Sequence, residues 1–300
     1  MPTSALFIVT VLIWGTSWYA IKLQIGPVPL DVSVFYRMAL AALILLAGLA
    51  VTGRLQRPAR WRFVIVQALC LFSFNFVAFY HATALIPSGL VAVIFSLASI
   101  FNAVNARVFF GERITVQVGL AGGLGVLGVG LMFWRDLAVF GEAETLQGIG
   151  WALLGAMIFS LGNMASRVNS ASGVPPLLAN AWGLGIGALA LLIMLTLKAE
   201  ALVWPQGAHY WGGLLYLAIF ASVIGFTTYL VLVWRVGSAK AGYATVLFPV
   251  VALAMSTLLE GYEWTPLAGL GVLAALLGNL IMFWRRRVPA PAPAVQSPSP

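Results

Sequence analysis

The sequence predicts an all-α polytopic membrane protein, with ten transmembrane helices arranged as two inverted five-helix repeats. Three observations carry that expectation. Hydrophobic residues make up 62% of the 300 and charged residues 8%, where a soluble domain carries about 25% charged. Such a chain cannot cover itself with polar surface. Its apolar stretches recur at the roughly 20-residue length a spanning helix needs, and they are continuous, unlike the short alternating strands of a β-barrel. The chain also repeats itself. WGTSWYAIK at 14–22 matches FSLGNMASR at 159–167, and GLAGGLGVLGVGLMFWR at 119–135 matches GLGVLAALLGNLIMFWR at 269–285. Apolar composition inflates such matches, so the shared MFWR ending and the paired glycines carry most of the weight.

The expected spans cover residues 4–23, 31–51, 63–85, 88–110, 115–135, 147–167, 175–197, 209–234, 238–259 and 265–284. The first has no basic leader and no A-x-A site before Lys22, so it reads as a retained helix and not a signal peptide. Proline punctuates the starts of several others, at Pro27, Pro29, Pro58, Pro87, Pro175, Pro176 and Pro205. The fifth and tenth spans are glycine stripes with few side chains to offer a ligand, and are expected to act as scaffold. The halves run 1–140 and 141–287, and the Pro-rich tail 288–300 is expected to be disordered and cytoplasmic. Five spans per half is an odd number, so the second half enters the membrane from the opposite side. Secondary transporters are built this way around a midplane site; a merely structural duplication is the alternative.

Charge sets the orientation. With the N-terminus in the cytoplasm, Arg54, Arg57, Arg60, Arg62, Arg107, Arg113, Arg167, Arg235, Lys240, Arg285, Arg286 and Arg287 fall inside, 12 of the 16 basic residues. Lys22, Arg37, Arg135 and Lys198 fall outside, with all the acids except Glu112. Both termini are therefore expected in the cytoplasm of a multi-pass inner (plasma) membrane protein. The net charge of +8 is explained by these loops, and no basic helix interleaved with aromatics points to nucleic acid.

Enzyme chemistry finds no support. There is no G-x-x-x-x-G-K-[ST] run for ATP and no H-E-x-x-H for zinc. No span holds a pair of acids for general acid–base work. His81 and His209 lie in different spans, and Cys70 is the only cysteine, so no metal cluster or intrachain disulfide is expected. No cofactor is expected.

Polar residues within spans need partners or a watery cavity. In the first span Trp14, Ser17, Trp18 and Lys22 share a face; in its repeat mate Ser160, Asn163 and Arg167 do so. These read as a cavity wall, the alternative being close packing through Gly15 and Ser17. In the third span Asn75 sits in the aromatic stripe Phe72, Phe76 and Phe79, and a buried amide requires partners. His81 reads as a proton-sensitive gate or as a helix-end cap. The fourth span offers Ser96, Ser99 and Asn102, the eighth Ser222, Gly225 and Tyr229, and the ninth Tyr243, Thr245 and Pro249, where a mid-helix proline frees a carbonyl. The cavity residues expected are thus Trp14, Ser17, Trp18, Asn75, Phe79, His81, Ser96, Ser99, Asn102, Ser160, Asn163, Tyr229, Tyr243 and Pro249. Arg37 reads as snorkelling to the interface or pairing with Asp31, with a role in holding an anionic solute as the alternative. Glu112, Arg113, Glu260 and Glu263 are expected to fix loops or act as charge latches.

These features resemble a known family. WGTSWYAIK, ATALIPSGLVAVIFSLASIFNA, the FFGERIT turn and AGYATVLFPVVALAMSTLLEGYEWT look like the drug/metabolite transporter superfamily, in its ten-helix branch of two EamA-type repeats. The likeness covers residues 4–287, and the nearest resemblance is to the YddG-type aromatic amino-acid exporters. The chain departs from the family pattern at Ser99, where many fourth helices carry proline; Pro249 in the ninth keeps it. The resemblance implies alternating access around a cavity formed by helices 1, 3, 4, 6, 8 and 9, and efflux as the direction. The expected cavity is aromatic-rich, with neutral hydrogen-bonding groups and little fixed charge. It suits an amino acid, aromatic or apolar, or a similar small metabolite; a broad drug/metabolite exporter is the alternative. The expected partners are that solute and the lipid bilayer, with a monomer as the working unit. With few titratable groups in the spans, a facilitator or weakly proton-linked carrier is expected.

Overall fold

A computed structural model describes residues 1–26, 28–58, 60–134, 143–236 and 244–283. Tyr243, the 140/141 boundary between the expected halves and the tail lie outside these residues.

Each expected span overlaps a described helix, with ends within a few residues wherever they lie among the described residues; the expected start of the ninth, at 238, lies outside them. They are α1 (Thr3–Lys22), α2 (Leu30–Val51), α3 (Trp61–Leu85), α4 (Ser88–Phe110), α5 (Val116–Met132), α6 (Ala143–Ala171), α7 (Pro176–Leu197), α8 (Ala208–Leu215, Tyr216–Gly225 and Phe226–Val236 in continuous succession), α9 (Ala244–Leu259) and α10 (Pro266–Phe283). Seven are long and apolar enough to cross a bilayer by themselves; α5, α9 and α10 are shorter apolar helices. At about 1.5 Å per residue, a 17-residue helix spans about 25 Å, short of the roughly 30 Å hydrocarbon core. Leu43, Leu120, Val126, Leu189, Ile193, Leu258 and Leu273 point outward. Apolar surface on this scale would be a liability in water and fits lipid.

The helices run alternately, so the ends form two faces. On one face α1 begins and α8 ends, and the Arg235 guanidinium donates to the Met1 carbonyl at 2.7 Å. On the other, α1 ends and α2 and α4 begin. The matching helices α1 and α6 therefore run in opposite directions, as an inverted duplication requires. Symmetry shows in the turns as well. Gly111, after α4, and Gly261, after α9, both hold positive φ (71° and 69°). At each, the next residue's N–H reaches back across the helix end: Glu112 to Ala106 O and Tyr262 to Ser256 O. Only glycine enters this conformation without a Cβ penalty.

Glycines let α5 and α10 pack against each other backbone to backbone. A Cβ on Gly271 would stand 2.5 Å from the Gly128 carbonyl, and one on Gly278 2.8 Å from the Ala121 carbonyl. The backbones touch, which only hydrogen side chains permit.

Three helices are irregular. α3 and α8 each contain a π-helical stretch, at Cys70–Phe74 and Tyr216–Gly225. α4 breaks at Leu97, between Ser88–Ser96 and Ala98–Phe110. The proline rule places the break in α9 at Pro249, but α9 runs unbroken through that residue. Asn279 of α10 bonds both sides of the α4 break: its Nδ2 donates to Ser96 Oγ (2.7 Å), and its Oδ1 accepts from Ser99 Oγ (3.0 Å).

Candidate functional site

The π stretches deliver side chains to the centre. A π turn adds one residue to a helical turn and re-aims the side chains beyond it, and such turns concentrate at functional sites. In α3, Asn75, Phe76 and Phe79 come after the stretch; in α8, Ala221 and Ser222 lie in it and Phe226 comes after. Among these, Asn75, Phe76, Phe79, Ala221 and Phe226 line a central cavity of about 70 Å³. The wall is completed by Trp14, Ser17, Trp18 and Ile21 of α1, Arg37 of α2, Phe95 of α4, Phe159 of α6 and Phe248 of α9.

Aromatic rings dominate it. The Trp18 indole meets Phe79, Phe95 and Phe248 at centroid distances of 5.3, 5.6 and 6.4 Å, and Phe95 meets Phe159 at 4.7 Å. Edge-to-face and tilted packing of this kind holds a rigid apolar wall. The wall also carries a charge, contrary to expectation. Arg37 neither snorkels nor pairs with Asp31: it is 3% exposed. Its guanidinium lies 4.3 Å from the Phe76 ring centroid, and its Nε donates to Ser222 Oγ at 3.2 Å. Asp31 is held elsewhere, by Lys198 Nζ at 2.7 Å and His81 Nε2 at 3.2 Å.

A vestibule of about 710 Å³ opens from this cavity to the face where α1 begins. Trp14, Phe95, Phe159 and Phe226 line both spaces and form the neck between them. Ser96, Ser99 and Asn102 of α4, Asn163 of α6 and Tyr229 of α8 line the vestibule. Asn163 Nδ2 donates to Asn102 Oδ1 (3.2 Å), and Tyr229 packs 4.9 Å from Trp14. The rim carries the Arg167–Glu112 ion pair (2.5 Å). The opposite end is closed. Lys22 donates to the Thr83 carbonyl (3.2 Å), Tyr80 donates to Gln24 (2.6 Å), and Glu260, just past α9, binds Ser88 at the start of α4.

Of the expected site residues, Trp14, Ser17, Trp18, Asn75, Phe79, Ser96, Ser99, Asn102, Asn163 and Tyr229 line one of these spaces. Tyr243 lies outside the described residues. Three others lie outside both spaces. His81 lines neither space; two residues past Phe79, it points about 200° around the helix, where it stacks on Trp151 (5.0 Å) beside Asp31. Ser160 is fully buried against α4, where it accepts from Asn105 Nδ2 (2.9 Å). Pro249 is buried inside α9, and its neighbour Phe248 faces the cavity instead. Spacing in the sequence does not single out Phe95, Phe159, Phe226 or Phe248, and it leaves Arg37 at the surface. A phenylalanine in an apolar run carries no mark of facing a cavity. Arg37 does carry a signal: seven residues into its helix, it sits about 10 Å from the end.

Known proteins place this architecture. The model of the EamA-like transporter family matches residues 1–134 and again 146–284. YedA, an uncharacterized inner membrane transporter of Escherichia coli, is 26% identical over 301 residues, covering 96% of this chain and 94% of its own. A probable terminal-alkyne amino-acid exporter of Streptantibioticus cattleyicolor is 25% identical over 295 residues, covering 93% and 94%. A solved crystal structure shares the fold with a TM-score of 0.67 at 19% identity, over 93% of this chain and 95% of that one.

Proposed function

Because this chain belongs to the EamA-like transporter family, and is therefore a membrane transporter and not an enzyme, we propose that it exports aromatic or apolar amino acids and similar small metabolites by alternating access. The observation that carries the proposal is the ring-walled cavity at the centre of the bundle, joined to a vestibule on one face and closed from the other. Such a wall takes up an apolar side chain, while Ser17, Asn75 and Arg37 supply polar contacts. The relative named as an amino-acid exporter supports the substrate class and the direction.

In the proposed orientation both termini are cytoplasmic, as the basic loops require, and the vestibule then faces the cytoplasm. A solute would enter past Asn102, Asn163 and Tyr229 and rest against Trp14, Trp18 and Phe79. The bundle would then close at the Glu112–Arg167 end and open where Lys22, Asp31 and Glu260 now hold it. With no acid among the described residues lining the central cavity, the carrier works as a facilitator or with weak proton coupling.

The test is counterflow. Liposomes preloaded with phenylalanine, tryptophan or threonine are given the radiolabelled amino acid, with Trp18→Ala and Asn163→Ala beside the wild type. The expected result is saturable exchange of the aromatic amino acids, weakened at least severalfold by either variant. Absence of exchange for every amino acid, from folded protein, leaves the broader metabolite exporter, which the scarcity of polar groups in the wall favours.

A further inference from the structure

Arg37 is a buried cation with no carboxylate paired to it among the described residues. Among the described residues no aspartate or glutamate lines its cavity, and Asp31, six residues earlier in the same helix, is occupied by Lys198 and His81. The guanidinium has the Ser222 hydroxyl on Nε, the Phe76 ring against its face and the Tyr80 hydroxyl beside it. Its Nη1 is fully buried and has no hydrogen-bond partner among the described residues. Arginine cannot shed its proton to escape this situation. A desolvated charge left this way is costly, and proteins keep one where an anion completes it.

Asn75 makes the same case from the neighbouring helix. It is 1% exposed, it lines the same cavity, and both its Nδ2 and its Oδ1 lack a partner among the described residues. A buried amide with neither end satisfied is rare in folded proteins. The two side chains together offer a charged donor, a neutral donor and one acceptor. They stand at the edge of a wall otherwise built of Trp18, Phe79, Phe95 and Phe248.

We propose that Arg37 and Asn75 form a recognition site for the carboxylate of the transported solute. The carboxylate takes Nη1 of Arg37 and Nδ2 of Asn75, and Oδ1 of Asn75 accepts from an adjacent ammonium where the solute has one. The aromatic wall takes the side chain. This rests on the reading of the cavity as a solute site and deepens it: the substrate class is the free carboxylic acid of a compact apolar molecule, an α-amino acid being the best match. A guanidinium fork suits a carboxylate better than an ammonium would.

The test is ligand binding to the full-length protein in lipid nanodiscs, using four probes. L-phenylalanine carries both charges, 3-phenylpropionate only the carboxylate, phenethylamine only the ammonium, and phenylalaninamide has its carboxylate masked. The expected result is that phenethylamine and phenylalaninamide bind at least 10-fold more weakly than phenylalanine. Arg37→Gln is expected to abolish that discrimination by weakening only the two carboxylate probes, phenylalanine and 3-phenylpropionate, and Arg37→Lys to give an intermediate. Arg37→Gln is also expected to melt at or above the wild-type temperature, since it removes an uncompensated charge.

The proposal is overturned if all four probes bind the wild type equally or if no carboxylate binds it. It is overturned as well if Arg37→Gln melts lower yet keeps the discrimination, the behaviour of a purely structural guanidinium. The probe comparison needs no variant, so a misfolding substitution does not remove the test. Arg37-dependent binding of 3-phenylpropionate with no amino acid bound would uphold the carboxylate site and sink the amino-acid reading. Amino-acid counterflow indifferent to the carboxylate would do the reverse.

Discussion

Glu260, at the end of α9, caps the first turn of α4 by accepting from both the main-chain N–H of Ser88, at 3.1 Å, and its hydroxyl. The first N–H groups of a helix have no partner within it, and the helix dipole favours a negative charge there. α4 begins with Pro87 as its N-cap, which offers no side-chain acceptor, so the carboxylate comes from another helix. Glu260→Ala is expected to cost about 1–2 kcal/mol, read as a lower melting temperature of the purified protein. Glu260→Gln, which keeps one acceptor, is expected to cost less than half as much. Equal melting of all three proteins would show that water replaces the cap.

Lys198 predicts a pH dependence at the same closed face. The hydrogen bond to Asp31 raises its ammonium above the ordinary value of 10.5, with burial opposing and the charges of Asp31 and Glu200 assisting. A raised folded value means that the stabilisation is fully present below the unfolded value and is lost as pH rises through the folded one. The wild type is therefore expected to lose stability above about pH 10.5, and Lys198→Met to lack that loss. At neutral pH the variant should melt slightly lower, by well under about 1 kcal/mol, because half of the lysine side chain (52%) is in solvent. Parallel melting curves across the alkaline range would rule out a contribution from this pair.

Gly271 tests the assignment of α5 and α10 to scaffold. A Cβ there would meet the Gly128 carbonyl at 2.5 Å and the Met132 nitrogen at 2.7 Å, both backbone atoms that cannot step aside. Gly271→Val is expected to destabilise by at least about 1–3 kcal/mol. In protein that still folds, solute affinity should be unchanged, since neither helix lines the central cavity. A large change in affinity without a loss of stability would tie these helices to the central cavity.

Gly225 makes the opposite prediction. A Cβ there would stand 2.8 Å from Nε1 of Trp14, so Gly225→Ala pushes the indole across the neck of the cavity. Affinity for phenylalanine is expected to fall about 3- to 10-fold, close to 1 kcal/mol, with little change in melting temperature. Unaltered affinity would mean that Trp14 does not touch the solute.

The readable part of the site obeys helical spacing. Trp14, Ser17 and Trp18 at i, i+3 and i+4, and Asn75 with Phe79, fall on one face whatever their neighbours, and the structure turns those faces inward. Spacing fails where a helix is irregular or where a partner captures the side chain. Ser160 has the right register but meets Asn105. His81 lies past the cavity-facing stripe, in reach of Asp31 and Trp151. The proline rule fails too: α4 breaks at Leu97 without a proline, where Asn279 bonds Ser96 and Ser99, while Pro249 leaves α9 intact.

Composition and periodicity by themselves determined that this chain lives in lipid, that its spans are helices and that its halves repeat. These are properties of local stretches of chain in an apolar solvent, where every backbone group must find its partner within the helix. Only the tertiary structure decided what a polar residue within a span meets. Arg37 shows the difference. Its sequence position is compatible with snorkelling, pairing or ligand binding. The arrangement of α2 against α3 and α8 removes it from water, gives its acid neighbour Asp31 to Lys198 and leaves Nη1 without a partner among the described residues, beside a cavity that Asn75 and the rings share. Electrostatic fate depends on distances between segments far apart in the chain, and no local pattern encodes those.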